Sequence, residues 1–143
     1  MAANIAVTTD QVGLVDPIKA TVKTYKAASA VTIGQVVYLL TAGTVAPADG
    51  NGATALYTQV VGVALNAGGA GQSIDVCENG ELYGFTVSGE DCGALLFLSD
   101  DVGRINDTTG THTAYIGRVT CLTDASATKV MRVQVVFAQA FVA

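Results

Sequence analysis

The residues of this chain that could do chemistry are few, and their spacing works against joint action. The one histidine, His112, sits in the polar run Asp107–Thr113. A metal site draws about three or four converging ligands, and only scattered carboxylates accompany His112. With Cys92 or Cys121 it would make a base and a nucleophile, but nothing in the neighbouring sequence supports that pairing. The three cysteines, Cys77, Cys92 and Cys121, are widely spaced and include no Cys-x-x-Cys. They read as small apolar fillers in a reducing compartment.

Gly68-Gly69-Ala70-Gly71 has the look of a phosphate loop, but no Gly-Lys-Ser/Thr follows and both flanks read as strands. A β-turn is the expectation there. The adjacent carboxylates Glu90-Asp91 and Asp100-Asp101 lack the further oxygens at set spacing that calcium requires, and read as solvated turns. Asn106-Asp107-Thr108 matches a glycosylation acceptor, with no signal peptide before it. Five tyrosines are too dispersed for a base-stacking platform. The reading is therefore not an enzyme, with no catalytic residues, no metal and no cofactor.

The elements must position something other than a reaction. Half of the 143 residues are hydrophobic and 13% are charged, about half the usual share for a soluble domain. A surface this poor in charge is covered by small polar side chains or by partners. Three lysines against two aspartates leave residues 1–26 at +1, and four basic against ten acidic residues leave 27–143 at −6. An acidic body repels a phosphate backbone, so nucleic acid is not the expected partner. The apolar runs fall well short of the ~18–20 residues of a spanning helix, so no membrane is expected either.

Short Val-, Ile- and Leu-rich segments bounded by Gly, Asn, Asp or Ser recur along the chain, which is the pattern of a sandwich or barrel. Strands are expected at Gln35–Leu40, Gln59–Leu65, Ala94–Leu98 and Ala114–Leu122. In the last strand Met131, Val133, Val135 and Phe137 alternate with Arg132, Gln134 and Val136. Lys19, Lys23 and Lys26 sit at helical spacing, but Thr21, Val22, Thr24 and Tyr25 favour a strand over Ile18–Lys26. Ala27–Ile33 reads as a helical turn or a loop. Asn79-Gly80 predicts a type I′ hairpin turn, with Glu78 facing Glu81, Val76 facing Tyr83 and Ile74 facing Phe85.

The halves resemble each other. Gly34-Gln35-Val36-Val37-Tyr38-Leu39 matches Gly93-Ala94-Leu95-Leu96-Phe97-Leu98, and Val61-Gly62-Val63-Ala64-Leu65 matches Ile116-Gly117-Arg118-Val119-Thr120. The expected fold is all-β, a small β-barrel or sandwich from two similar β units (about residues 34–78 and 93–137). It forms a single domain over 18–143, preceded by an extended N-terminal arm over 1–17 that has no clear strand pairing of its own.

The order Gly-x-Val-Val-Tyr-Leu, Val-Val-Gly-Val-Ala-Leu, Gly-Gln-Ser-Ile-Asp-Val-Cys-Glu-Asn-Gly, Gly-x-Leu-Leu-Phe-Leu and Ile-Gly-Arg-Val resembles the small capsid decoration (cement) proteins of tailed bacteriophages, from about Gly34 to Phe137. The resemblance implies a structural protein made in the host bacterial cytoplasm and bound to the outer capsid surface of the virion. Its partners would be the major capsid protein and itself, as a homotrimer at three-fold and quasi-three-fold positions. The arm, through Ile5, Val7, Val12, Leu14 and Val15, would supply protein-binding contacts, the alternative being a frayed terminus; the apolar tail, through Phe141 and Val142, would dock on a neighbour or cap its own core. Two other readings stand beside it: another phage structural component of tail or head completion, and a trimeric dUTPase-like enzyme. For the last, Arg104, Arg118 and Arg132 lack a surrounding motif.

Overall fold

The computed structural model describes residues 4–122 and 125–135. Ten strands and a few short helical turns make up the described chain, joined in one curled antiparallel sheet. The first half holds β1 (Gly13–Leu14), β2 (Thr21–Lys26), β3 (Val36–Leu39), β4 (Val45–Pro47), the single-turn α1 (Thr54–Thr58), β5 (Val60–Ala64) and β6 (Ser73–Tyr83). The second holds β7 (Leu95–Leu98), β8 (Ile105–Asn106), β9 (Tyr115–Leu122) and β10 (Ala125–Gln134). The strand path runs β4-β3-β5-β6-β10-β9-β7-β8, the same sequence of partners read inward from either end.

The two halves share one hydrogen-bond frame. In the first, Val36 faces Val63 and Val37 faces Gly62, after which a bulge brings Tyr38 opposite Val60. In the second, Leu95 faces Arg118 and Leu96 faces Gly117, and a bulge at the same step brings Phe97 opposite Tyr115. The backbone N–H of Gly34 donates to Ala64 and that of Gly93 to Val119, both at matching positions. Gly62 and Gly117 also match. A Cβ on either would overlap a strand carbonyl oxygen, that of Cys77 or of Arg132, and lie 2.8 Å from its carbon. Each glycine is there because the neighbouring backbone comes too close for a side chain.

The halves present opposite faces to the core. Val36, Val60 and Val63 enter the main cluster, while their counterparts Leu95, Tyr115 and Arg118 stand exposed. Conversely, Val37 belongs to a second cluster with Val31, Val45, Ile74 and Val76, while its counterpart Leu96 lies in the main one. A bulge in β6 accompanies this inversion: Val22 faces Cys77 and Thr21 faces Asn79, leaving Glu78 as the extra residue. One inserted residue exchanges the faces of everything beyond it. Cys77 and Leu82, five positions apart, consequently both point into the main core.

Three expectations need correction. Asn79-Gly80 makes no hairpin. Both residues lie inside the eleven-residue β6, where Asn79 faces Gln134 and Gly80 faces Val133 of β10. The Asn-Gly pair marks the bulge, where local turn propensity yields to pairing on both sides. The N-terminal segment is extended but is no free arm. Gly13 and Leu14 pair with Tyr83 and Leu82, Val15 N–H donates to Glu81, and Val7 bridges to Phe85. At Gly84, with φ +96°, a Cβ would lie 2.7 Å from the Val12 backbone, so the segment is laid tightly against the sheet. Third, Cys92 and Cys121 are not fillers; they form a disulfide with a Cα separation of 6.5 Å, and only Cys77 is a buried free thiol.

Residues 17–26 divide into a 3-10 turn at Pro17–Lys19 and strand β2, which pairs with β6. Ala27–Ile33 is a loop whose Ala27 and Val31 cover the second cluster. The helical turn α1 was not expected from the polar run before it.

Candidate functional site

The titratable groups are dispersed over several small polar clusters. His112 stacks on Tyr57, with ring centroids 4.1 Å apart and planes 8° from parallel. Its backbone N–H donates to Gly50, which in turn donates to Ser99, so this contact ties the loops of the two halves together. Among the described residues, no group of three or more His, Cys, Asp or Glu is placed to hold a metal ion.

A shallow polar cleft of about 240 Å³ lies between Asn4, Ser99, Asp101, Asn106 and Thr109. Its polar groups satisfy one another. Ser99 Oγ donates to Asn4 Oδ1 at 2.6 Å, and Asn4 Nδ2 donates to Asp101 Oδ2 at 2.5 Å. The backbone N–H and hydroxyl of Thr111 both donate to Asp100, at 2.7 and 2.8 Å. This is a latch between the N-terminal segment and the β7–β8 connection, held locally by a serine turn in which Asp101 N–H donates to Ser99 Oγ at 3.0 Å.

Glu90 and Asp107 form a carboxyl pair that the sequence spacing did not reveal. Burial holds the Glu90 carboxyl above the usual carboxylate range, and the Asp107 charge and a side-chain hydrogen bond between the two raise it further. Lys129 acts in the opposite direction, and its ammonium reaches the backbone carbonyls of Ser88 and Glu90. On β2, the Tyr25 hydroxyl donates to Glu78 Oε2 at 2.6 Å, and its pKa is pushed up to about 12, first by burial and then by that carboxylate. Burial pushes the Cys77 thiol to about 11, which makes it a poor nucleophile.

The residues expected to contact other proteins are placed differently. Ile5 is buried in the main core, and Val7, Val12 and Leu14 pack against it. Val15 is half-buried beside β6. Ile5, Val7, Val12 and Leu14 are committed to the protein's own core, because pairing the segment with β6 turns these apolar residues inward. Phe141 and Val142 lie outside the described residues.

Other apolar side chains stand at the surface. Ile18 is 94% exposed, at the tip of the 3-10 turn between β1 and β2. That turn is well supported: the Asp16 carboxylate accepts from Ile18 N–H at 3.1 Å and Pro17 occupies the first turn position. The Asp16-Pro17 pair signals this turn in sequence, but an isoleucine that alternates with Ala20 and Val22 reads as one face of a strand. A second exposed group comprises Leu95 and Tyr115 on the outer face of β7 and β9. No protein-family model matches the chain, and no curated protein matches it.

Proposed function

We propose that this protein is a structural component that binds the outer surface of an assembled phage head and stabilises contacts between major capsid proteins, acting as a trimer at three-fold and quasi-three-fold positions. The single observation that carries the reading is Ile18, an isoleucine held almost fully in solvent on a capped turn. Such a residue contributes nothing to the fold and suits a pocket on a partner. The Gly- and aliphatic-residue motifs that resemble decoration proteins give that partner its identity. The all-β architecture is compatible with it, and the low charge suits burial against a lattice.

The mechanism is linkage. A protein that binds the assembled lattice and not its free subunits adds RT ln(1 + [L]/Kd) to lattice stability, about 2.7 kcal/mol per site at a hundredfold excess over Kd. Trimerisation raises the effective concentration of each weak contact. Disassembly then requires several contacts to open together.

The test is to incubate heads lacking this protein with purified protein, then measure bound mass and resistance to heat. Saturable binding with a higher disruption temperature is expected. Absence of binding overturns the reading.

A further inference from the structure

Among the described residues, nothing covers the outer face of the second half across β7, β9 and β10. Leu95 and Tyr115 are 40% and 37% exposed, and the Phe97 ring lies 5.2 Å from that of Tyr115. The matching face of the first half, through Val36, Val60 and Val63, is covered by the main core. Next to the apolar residues, Arg118 faces Leu95 on one side and Arg132 on the other, and Arg132 in turn faces Glu81 of β6, whose carboxylate accepts from the Thr120 hydroxyl at 2.7 Å. Both arginines are exposed, and neither guanidinium makes a side-chain hydrogen bond or ion pair among the described residues. Like charges placed directly opposite each other destabilise a strand pair. An anion between them reverses the sign of that interaction, and a guanidinium pair recognises carboxylate well.

The other cations of residues 27–143 are occupied. Arg104 donates to the Ile5 carbonyl at 3.1 Å, and Lys129 reaches backbone carbonyls. The carboxylates are in excess. Those of Asp100 and Asp101, exposed in the turn after β7, accept hydrogen bonds from Thr111 and Asn4 but meet no cation among the described residues.

We infer that the outer face of β7, β9 and β10 is a docking surface for a second copy of this chain, with Arg118 and Arg132 receiving carboxylates of the neighbour and Leu95, Phe97 and Tyr115 forming the apolar centre. Where the arginine pair of one copy meets the acidic turn of the next without the reverse contact, the interface is heterologous, and a heterologous contact that closes gives a ring. The inference deepens the oligomeric part of the proposed function and does not depend on head binding.

The test is the solution mass by light scattering of the wild-type protein, of R118E/R132E and of L95S/Y115S, with circular dichroism to verify folding. The wild type is expected to exceed one chain in mass. The arginine variant should raise the dissociation constant by at least about tenfold, and added salt should weaken the wild-type contact in the same direction. The apolar variant should also dissociate while keeping its spectrum. A monomeric wild type, or folded variants that keep the wild-type mass, overturns the inference. A protein that assembles but ignores heads overturns the head-binding reading alone, and one that binds heads as a monomer overturns this inference alone.

Discussion

Gly117→Ala is the sharpest test of how β9 and β10 meet. A methyl group there would overlap the Arg132 carbonyl oxygen and sit 3.2 Å from Val133 Cα. Both neighbours are backbone, so no side chain can rotate away, and the strands must separate locally. Separation disrupts about two ladder hydrogen bonds, each worth about 1 kcal/mol net. It also loosens Ile116, Val119 and Val133, which are fully buried on the inner face. A loss of about 3–5 kcal/mol follows, at the upper end for single substitutions. For a chain of this length that lowers the melting temperature by roughly 10–15 °C. Gly13→Ala is the control: a Cβ there meets nothing within 4 Å. It should leave stability unchanged or raise it by about 0.5 kcal/mol through the unfolded chain. Differential scanning calorimetry on both variants provides the measurement. If Gly117→Ala melts within about 2 °C of the wild type, the close approach of β9 and β10 is refuted.

Three further outcomes are expected. Cys92 and Cys121 close a 29-residue separation, so reduction or the double serine variant should cost about 3–4 kcal/mol; thiol titration should find one cysteine in the unfolded oxidised protein and three after reduction. The Tyr25 phenol has a raised pKa in the folded state, so its contribution to stability is complete below pH ~10 and declines as pH rises from there to about 12. Tyr25→Phe should flatten that alkaline decline in denaturation curves and remove the late-ionising phenol from an ultraviolet titration. Ile18→Asp should change folding stability by less than about 0.5 kcal/mol while abolishing attachment to heads; an unchanged affinity removes Ile18 from the contact.

Much of the sheet was legible because its strands are patterned locally. Val36–Leu39, Val60–Ala64, Leu95–Leu98 and Tyr115–Leu122 fall within the segments expected from β-branched residues and flanking glycines. Asn79-Gly80 misled because the propensity of a dipeptide for a turn is local, whereas β10 and the N-terminal segment offer β6 partners along its length. The inversion of faces was hidden for a related reason. Matching Val36 to Leu95 aligns backbones correctly, and a one-residue bulge far away in β6 decides which side is buried. Ile18 could not be distinguished from a core residue by type. Nor could the meeting of Cys92 with Cys121, or of Glu90 with Asp107, be read from spacings that depend on tertiary pairing.

The segment from Gly13 to Lys26 runs antiparallel to β6 through β1 and β2, with Ile18 at the excursion between them. An attachment at Ile18, as proposed, would have a mechanical direction. Tension along the strand axis loads the hydrogen bonds on either side of the turn in parallel, so they must fail together. Tension across the sheet peels them one after another. A shell that swells from within would draw its surface attachments tangentially, and this segment resists most strongly when the tangent follows β6.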